Sequence, residues 1–277
     1  MPRSPLRHPA SWATFLVVAV AGLVWWSLPP ATPSGDHDWV PEQAVMPAVR
    51  FEGDRVEVDG VRSFVYGENG AVERRWVDRT YDLNRLESVW FALSPFASWR
   101  GPAHAFLSFE FSDSQFVSVS VEARREVGET YSPLKGLLRQ YQLMFVVGDE
   151  ADVVALRTHV YKDPVYLYPT VATPAQARDL FVALLRRAGE LRDAPEYYNT
   201  FDDNCATNLA DAINTVRRDP VGWSPSLVLP GYSDEWALKM GLLAVEGPID
   251  TARPRYRING RAEAAYGTPD FSWAIRR

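Results

Sequence analysis

The apolar positions of the chain change spacing several times, and each change marks an element. Residues 10–28 carry no charge and hold Phe15, Leu16, Val17, Val18, Val20, Leu23, Val24, Trp25 and Trp26. At roughly 1.5 Å per residue, a helix of that length approaches the thickness of a bilayer's hydrocarbon core. Prolines then crowd residues 29–48 (Pro29, Pro30, Pro33, Pro41, Pro47), the composition of an extended tether. Period-two alternation begins at residue 55, where Val56, Val58 and Val61 lead into Phe64-Val65-Tyr66. Glu68-Asn69-Gly70 supplies a turn, and residues 75–81 return as a second strand. A short helix is expected over residues 83–93, ahead of Ser94-Pro95.

The clearest alternation follows. Ala105, Leu107, Phe109 and Phe111 share one face of a strand, with His104, Phe106, Ser108 and Glu110 on the other. Val117, Val119, Val121 and Ala123 share one face of the next strand, with Phe116, Ser118, Ser120 and Glu122 opposite. Ser112-Asp113-Ser114 separates the two, so they form an antiparallel hairpin. Setting Leu107 against Val119 and Phe109 against Val117 keeps apolar beside apolar, because a one-residue slip would flip every side chain. That register sets His104 against Glu122. A slip would instead bring Ser118 or Ser120 inward.

Residues 140–147 and 152–161 read as further strands, with Asp149, Glu150 and Asp152 in or near a connection, and residues 165–168 as a short one. Thr173-Pro174 opens a helix with a capping residue and a first-turn proline. Its apolar stripe is Leu180, Phe181, Leu184, Leu185, Ala188 and Leu191. A second helix carries Ala206, Leu209, Ala210, Ile213 and Val216, capped by Asp203 or Asn204. The chain then turns irregular, with one further helix possible over residues 233–244. The tail beyond Pro248 shows no usable pattern.

With 277 residues, 47% of them hydrophobic, the chain can bury a sizeable core. No internal repeat or second linker appears, so residues 49–277 are expected to form one domain. The net charge of −6 becomes −8 once Arg3 and Arg7 are set aside, which argues against a nucleic-acid surface. Those two arginines, in the short segment 1–9, favour a cytoplasmic N-terminus for an anchor at 10–28. A cleaved signal peptide is the competing reading, but Ala19-Val20-Ala21 lies inside the apolar run, early for cleavage. Either reading puts the domain outside the cytoplasm.

Cys205 is the only cysteine, so no internal disulfide exists and the thiol is free. It falls in the first turn of its helix, where free N–H groups and the dipole favour a thiolate. Asp202 and Asp203 oppose that ionisation. A buried structural cysteine is the blander reading, but the neighbours Asp202, Asp203, Asn204, Thr207 and Asn208 are polar. Of the four histidines, His8 precedes the anchor and His37 lies in the tether; His159 suits packing, which leaves His104 as the candidate base. No metal-ligand spacing, phosphate-binding glycine loop or other cofactor motif is present.

Several segments carry a family resemblance: Arg62-Ser63-Phe64-Val65-Tyr66, Thr80-Tyr81-Asp82-Leu83, His104-Ala105-Phe106-Leu107-Ser108-Phe109, Ser120-Val121-Glu122-Ala123-Arg124-Arg125-Glu126, Tyr166-Leu167-Tyr168, Tyr198-Asn199-Thr200 and Asn204-Cys205-Ala206-Thr207-Asn208. In that order, from about residue 50 to about 235, they resemble the Lnb N-terminal periplasmic domain family. Its histidine-then-cysteine order is similar to circularly permuted NlpC/P60 and papain-like enzymes, including the lecithin–retinol acyltransferase group. The resemblance implies an α+β fold, an antiparallel sheet with packed helices, beside one transmembrane helix in the bacterial inner membrane. It implies Cys205 as nucleophile, His104 as base and Glu122 as orienter. Asn204, Asn208, Ser120 and Arg124 are the expected substrate-binding residues. The family more often has two threonines after the cysteine; here the first is Ala206. The function expected is a thiol hydrolase or acyltransferase acting on an amide or ester of a cell-envelope peptide or lipid. A non-catalytic envelope-binding or assembly module and a redox-sensing thiol are the alternatives.

Overall fold

The computed structural model describes residues 14–22, 33, 37–67 and 70–277. The first described segment, α1 (residues 14–22), is a helix with Phe15, Leu16, Val17, Val18 and Val20 exposed. The rest of the 10–28 run, and segment 1–9, lie outside the described residues. No helix among the described residues is long and apolar enough to cross a membrane.

The chain becomes part of the domain before the first strand. Trp39 bridges to Glu126, Val40 N–H donates to Arg125 O (3.0 Å) and Val127 N–H donates to Asp38 O (2.7 Å). Thus the C-terminal part of the expected tether is docked rather than free.

Nine strands make one sheet. Its path is β1 (Ala48–Glu52), β2 (Arg55–Arg62), β9 (Tyr141–Asp149), β8 (Phe116–Arg124), β7 (Ala103–Phe111), β6 (Leu86–Pro95) and β10 (Tyr166–Pro169). Off that path, β5 (Trp76–Asp82) pairs with β2, and β11 (Tyr197–Tyr198) pairs with β9. Every pairing is antiparallel except a single β2–β9 contact, Arg62 beside Gly148. A separate hairpin joins β3 (Val65–Gly67) to β4 (Gly70–Glu73). Gly70 has φ +113°, a value glycine tolerates; Glu68 and Asn69 of the expected turn lie outside the described residues.

Helices cover both faces. On one face α4 (Pro174–Asp193) and α5 (Cys205–Val216) set Phe181, Leu184, Leu185 and Leu209 against Leu107, Phe109, Val119, Val121, Leu143 and Phe145. On the other, Val153 and Val154 of α3 (Glu150–Ala155) join Ile258, Ala262 of α9 (Asn259–Ala265) and Phe271 of α10 (Phe271–Ala274) over Phe106, Ala92 and Leu167. The architecture is α+β, a mainly antiparallel sheet with packed helices.

The hairpin register matches the expectation: Leu107 faces Val119 and Phe109 faces Val117. Helix α4 starts with Thr173 as its cap, in a reciprocal box with Gln176. Two expectations fail. Residues 83–93 hold only a 3-10 turn, Leu83–Arg85, before strand β6. A bulge between Leu86 and Ser88 shifts the phase, so Leu86, Val89 and Leu93 acquire helix-like spacing although a strand carries them. Residues 152–161 are not a strand: α3 continues into a π-helical turn, Leu156–Val160. The apolar run Val153-Val154-Ala155-Leu156 has no period of its own. The tail beyond Pro248, patternless in the sequence, is built from α8 (Ile249–Tyr256), α9 and α10; Ile249 joins the core of the first face, and Ile258, Ala262 and Phe271 cover the second.

Candidate functional site

The site forms where the sheet ends. The β7–β8 ladder stops at Phe106 opposite Ser120, and His104 lies two residues beyond, where the strands part. A cavity of about 270 Å³ opens there, lined by His104, Glu122, Cys205, Tyr198, Tyr131 and Arg157 among others.

Helix α5 brings Cys205 to this end. Asn204 is its cap: Oδ1 accepts from Ala206 N–H (2.7 Å) and Thr207 N–H (3.1 Å), while Thr207 Oγ1 accepts from Asn204 N–H (2.8 Å). Asn204 Nδ2 also donates to Thr200 O and Leu227 O, both at 2.9 Å, pinning the loops on either side. With Ala206 and Thr207 engaged by the cap, the Cys205 N–H is the first-turn donor left beside the sulfur.

The imidazole is held by two acceptors. His104 Nε2 lies 2.6 Å from Ser120 Oγ and 3.2 Å from Glu122 Oε1. The Ser120 hydroxyl donates to Glu122 Oε1 (2.8 Å), so it must accept from His104. Nε2 is then the protonated nitrogen and Nδ1 the acceptor, and His104 and Cys205 line the same cavity. Arg157 Nη2 donates to the same Glu122 oxygen at 2.8 Å.

Burial and the Arg157 charge lower the His104 pKa, but Glu122 and the bond with Cys205 outweigh them, and the net direction is up. Burial alone would raise the Glu122 carboxyl; His104, Arg157 and the Ser120 hydroxyl hold it well below the usual carboxylate range. Tyr198, whose hydroxyl lies 3.3 Å from that of Tyr131, is pushed well above the ordinary tyrosine range by burial and by the nearby sulfur. Its phenol therefore stays protonated and can donate into the cavity.

The remaining expected residues are placed differently from one another. Ser120 joins His104 to Glu122. Asn204 serves the helix cap, and Asn208 donates to Asp203 Oδ1 (2.7 Å) and Asn204 O (2.9 Å). Arg124 clamps the incoming chain, donating to Gln43 O (2.9 Å), Ala44 O (2.7 Å) and Gln142 Oε1 (2.9 Å), with Trp39 4.2 Å from its guanidinium. None of Asn204, Asn208 and Arg124 lines the cavity. Their side chains are committed to backbone and neighbouring groups, which is where short polar and guanidinium groups go when the chain must be capped or strapped. His159 bonds Thr158 Oγ1 (2.7 Å) and packs on Tyr266.

Arg157 carries no functional signal in the sequence, and Tyr198 falls in the resemblance segment Tyr198-Asn199-Thr200 without a role of its own. Arg157 is hidden inside a run read as a strand; its helical setting alone turns it towards Glu122. Tyr198 stands beside the cysteine stretch, and only the β11–β9 pairing brings it to the sulfur.

The family model for the Lnb N-terminal periplasmic domain matches residues 73–228, more than half of the 277-residue chain. The protein therefore belongs to the Lnb N-terminal periplasmic domain family, and the matched span holds His104, Ser120, Glu122, Arg157, Tyr198 and Cys205. No characterised protein and no solved structure matches the chain.

Proposed function

We propose that the site is that of a thiol hydrolase or acyltransferase acting on an amide or ester of the cell envelope. The observation that carries this reading is that His104, bonded through Nε2 to Ser120 and Glu122, lines the same cavity as Cys205. His104 Nδ1 takes the thiol proton as Cys205 Sγ attacks the carbonyl carbon, forming a C–S bond and an oxyanion. The Cys205 N–H and the Tyr198 hydroxyl are the donors placed to receive that oxyanion. Collapse breaks the bond to the amine or alkoxide, and His104 returns its proton to the leaving group. Water or an acceptor amine then attacks the thioester, again with His104 as base, and releases Cys205. Glu122 holds the Nε2–H tautomer and the developing imidazolium, with Ser120 between the two groups and Arg157 fixing the carboxylate.

The order of a strand histidine followed by a helix-start cysteine, on β7 and α5, supports a permuted NlpC/P60 type. The charge-free run 10–28, with helical and exposed residues 14–22, supports a single-pass anchor in the bacterial inner membrane.

The test is intact-mass analysis after incubation with a short-chain p-nitrophenyl ester. One acyl adduct is expected on the wild type and none on Cys205→Ala. Equal ester hydrolysis by the two would overturn the proposal. A second reading is favoured by one observation: Cys205 is only 5% exposed and belongs to the apolar cluster with Leu209 and Tyr198. A non-catalytic module would show no adduct on either protein.

A further inference from the structure

Exposed apolar side chains occur at several places on the domain, Val72, Val127 and Val171 among them, and one group of them is linked by contacts. Phe96, Trp99, Leu134, Leu137, Phe201 and Trp223 are between 42% and 64% exposed; Phe96 lines the cavity, as do Tyr131 and Tyr198, which stand three residues before Leu134 and Phe201. Contacts close those segments into a ring. Phe96 meets Tyr131 (ring centroids 6.1 Å), and Thr200 Oγ1 donates to Pro133 O (2.9 Å), joining α2 (Pro133–Leu137) to the cysteine loop. Phe201 meets Trp223 (6.0 Å). Gly231 N–H donates to Gly101 O (2.8 Å), which returns the ring to the Phe96–Trp99 loop.

The chain enters the domain beside the same mouth. Residues 38–40 pair with 125–127, and Glu42 and Gln43 line the cavity itself. Only eight residues, 29–36, separate the apolar run from His37. Fully extended, they span at most about 29 Å. The edge of the domain beside the mouth therefore lies within that reach of residues 10–28.

We propose that this ring is a bilayer-docking surface, which seats the cavity mouth at the membrane interface. The inference rests on the anchor proposed above and is independent of catalysis. Tryptophan and phenylalanine suit that position because their rings combine an apolar body with tolerance of the headgroup layer. The acidic balance of the chain leaves apolar insertion, rather than attraction to anionic lipid, as the source of adhesion, so docking is insensitive to salt.

The experiment uses the full chain with Cys205→Ser, so that one introduced cysteine carries an environment-sensitive fluorophore. Trp99→Cys and Trp223→Cys report the ring. Val171→Cys, 52% exposed at the opposite end of the sheet, is the control, and Val20→Cys reports the anchor. Each protein is reconstituted into phosphatidylethanolamine–phosphatidylglycerol vesicles containing acyl-chain spin labels. Labels at 99 and 223 are expected to be quenched several-fold more than that at 171, equally in low and high salt. Quenching at 99 and 223 no greater than at 171 overturns the docking surface. If position 20 is quenched in that case, the anchor stands and only docking fails; if it is not, both fail. Labels at 99 and 223 shielded from water but not quenched by lipid would assign the ring to a protein partner and overturn the bilayer assignment.

Discussion

Glu122 and Asp152 each answer an arginine, yet the two centres are built to opposite ends. Asp152 is saturated: it accepts from Arg62 Nε (3.0 Å), Arg62 Nη2 (2.9 Å), Phe64 N–H (2.7 Å) and Tyr66 OH (3.0 Å). Arg62 uses its remaining nitrogen on Glu42 O (2.8 Å). Every partner is a fixed donor, so the cluster is a clasp joining β2 to α3. Glu122 instead gathers His104, Ser120 and Arg157 on one oxygen, its side chain keeps 17% exposure, and Arg157 retains a buried Nε without a partner. One of its donors, His104, is a titratable imidazole that lines the cavity together with a thiol. A structural ion pair is closed on all sides; this one is left open on the side where the cavity lies.

Breaking the two centres separately should separate reactivity from stability. Cys205→Ala is expected to abolish covalent labelling while leaving the denaturant midpoint near the wild-type value, since the swap removes only one atom. His104→Ala is expected to lower the rate of ester turnover about 10²–10⁴-fold, the usual contribution of a positioned base. Asp152→Asn is expected to do the reverse. It strands a buried guanidinium at a cost of about 3–5 kcal/mol in unfolding free energy, and the molecules that remain folded still label at Cys205. Asn204→Ala removes the α5 cap and should cost about 1–2 kcal/mol, with labelling reduced because the cap places the sulfur.

The smallest effect is a pH signature at Glu122. His104 is raised, so its contribution is complete below its unfolded value near 6.5 and fades as pH rises through the folded value. Glu122 is lowered, so its contribution is complete above its unfolded value near 4.5 and is lost as pH falls through the folded value. Both act together between about pH 4.5 and 6.5. Denaturant midpoints should therefore show Glu122→Gln at its greatest disadvantage in that window, and a difference independent of pH would contradict the coupling.

The sequence was legible where periodicity and capping chemistry are strong. Alternation at period two determined the β7–β8 register, and that register brings His104 to Glu122 before any coordinate is consulted. The run Asn204-Cys205 placed the thiol at a helix start for the same local reason. What stayed hidden depends on contacts remote in sequence. Arg157 reaches Glu122 because residues 150–160 are helical, a state their unpatterned apolar run does not specify. Arg276, two residues beyond the end of α10, pairs with buried Glu150 (2.7 Å), a contact across more than a hundred residues. Arg124, expected to bind substrate from its place in the resemblance segment Ser120–Glu126, instead gives its donors to the docked chain at Gln43 and Ala44.

The central claim is that His104 activates Cys205. It is tested most directly by the rate at which iodoacetamide alkylates this single thiol at neutral pH, in the wild type and in His104→Ala. A working pair should make the wild type faster by about tenfold or more, with Asp152→Asn close to the wild-type rate. Equal rates in the wild type and His104→Ala would contradict the pair and leave Cys205 a buried structural residue.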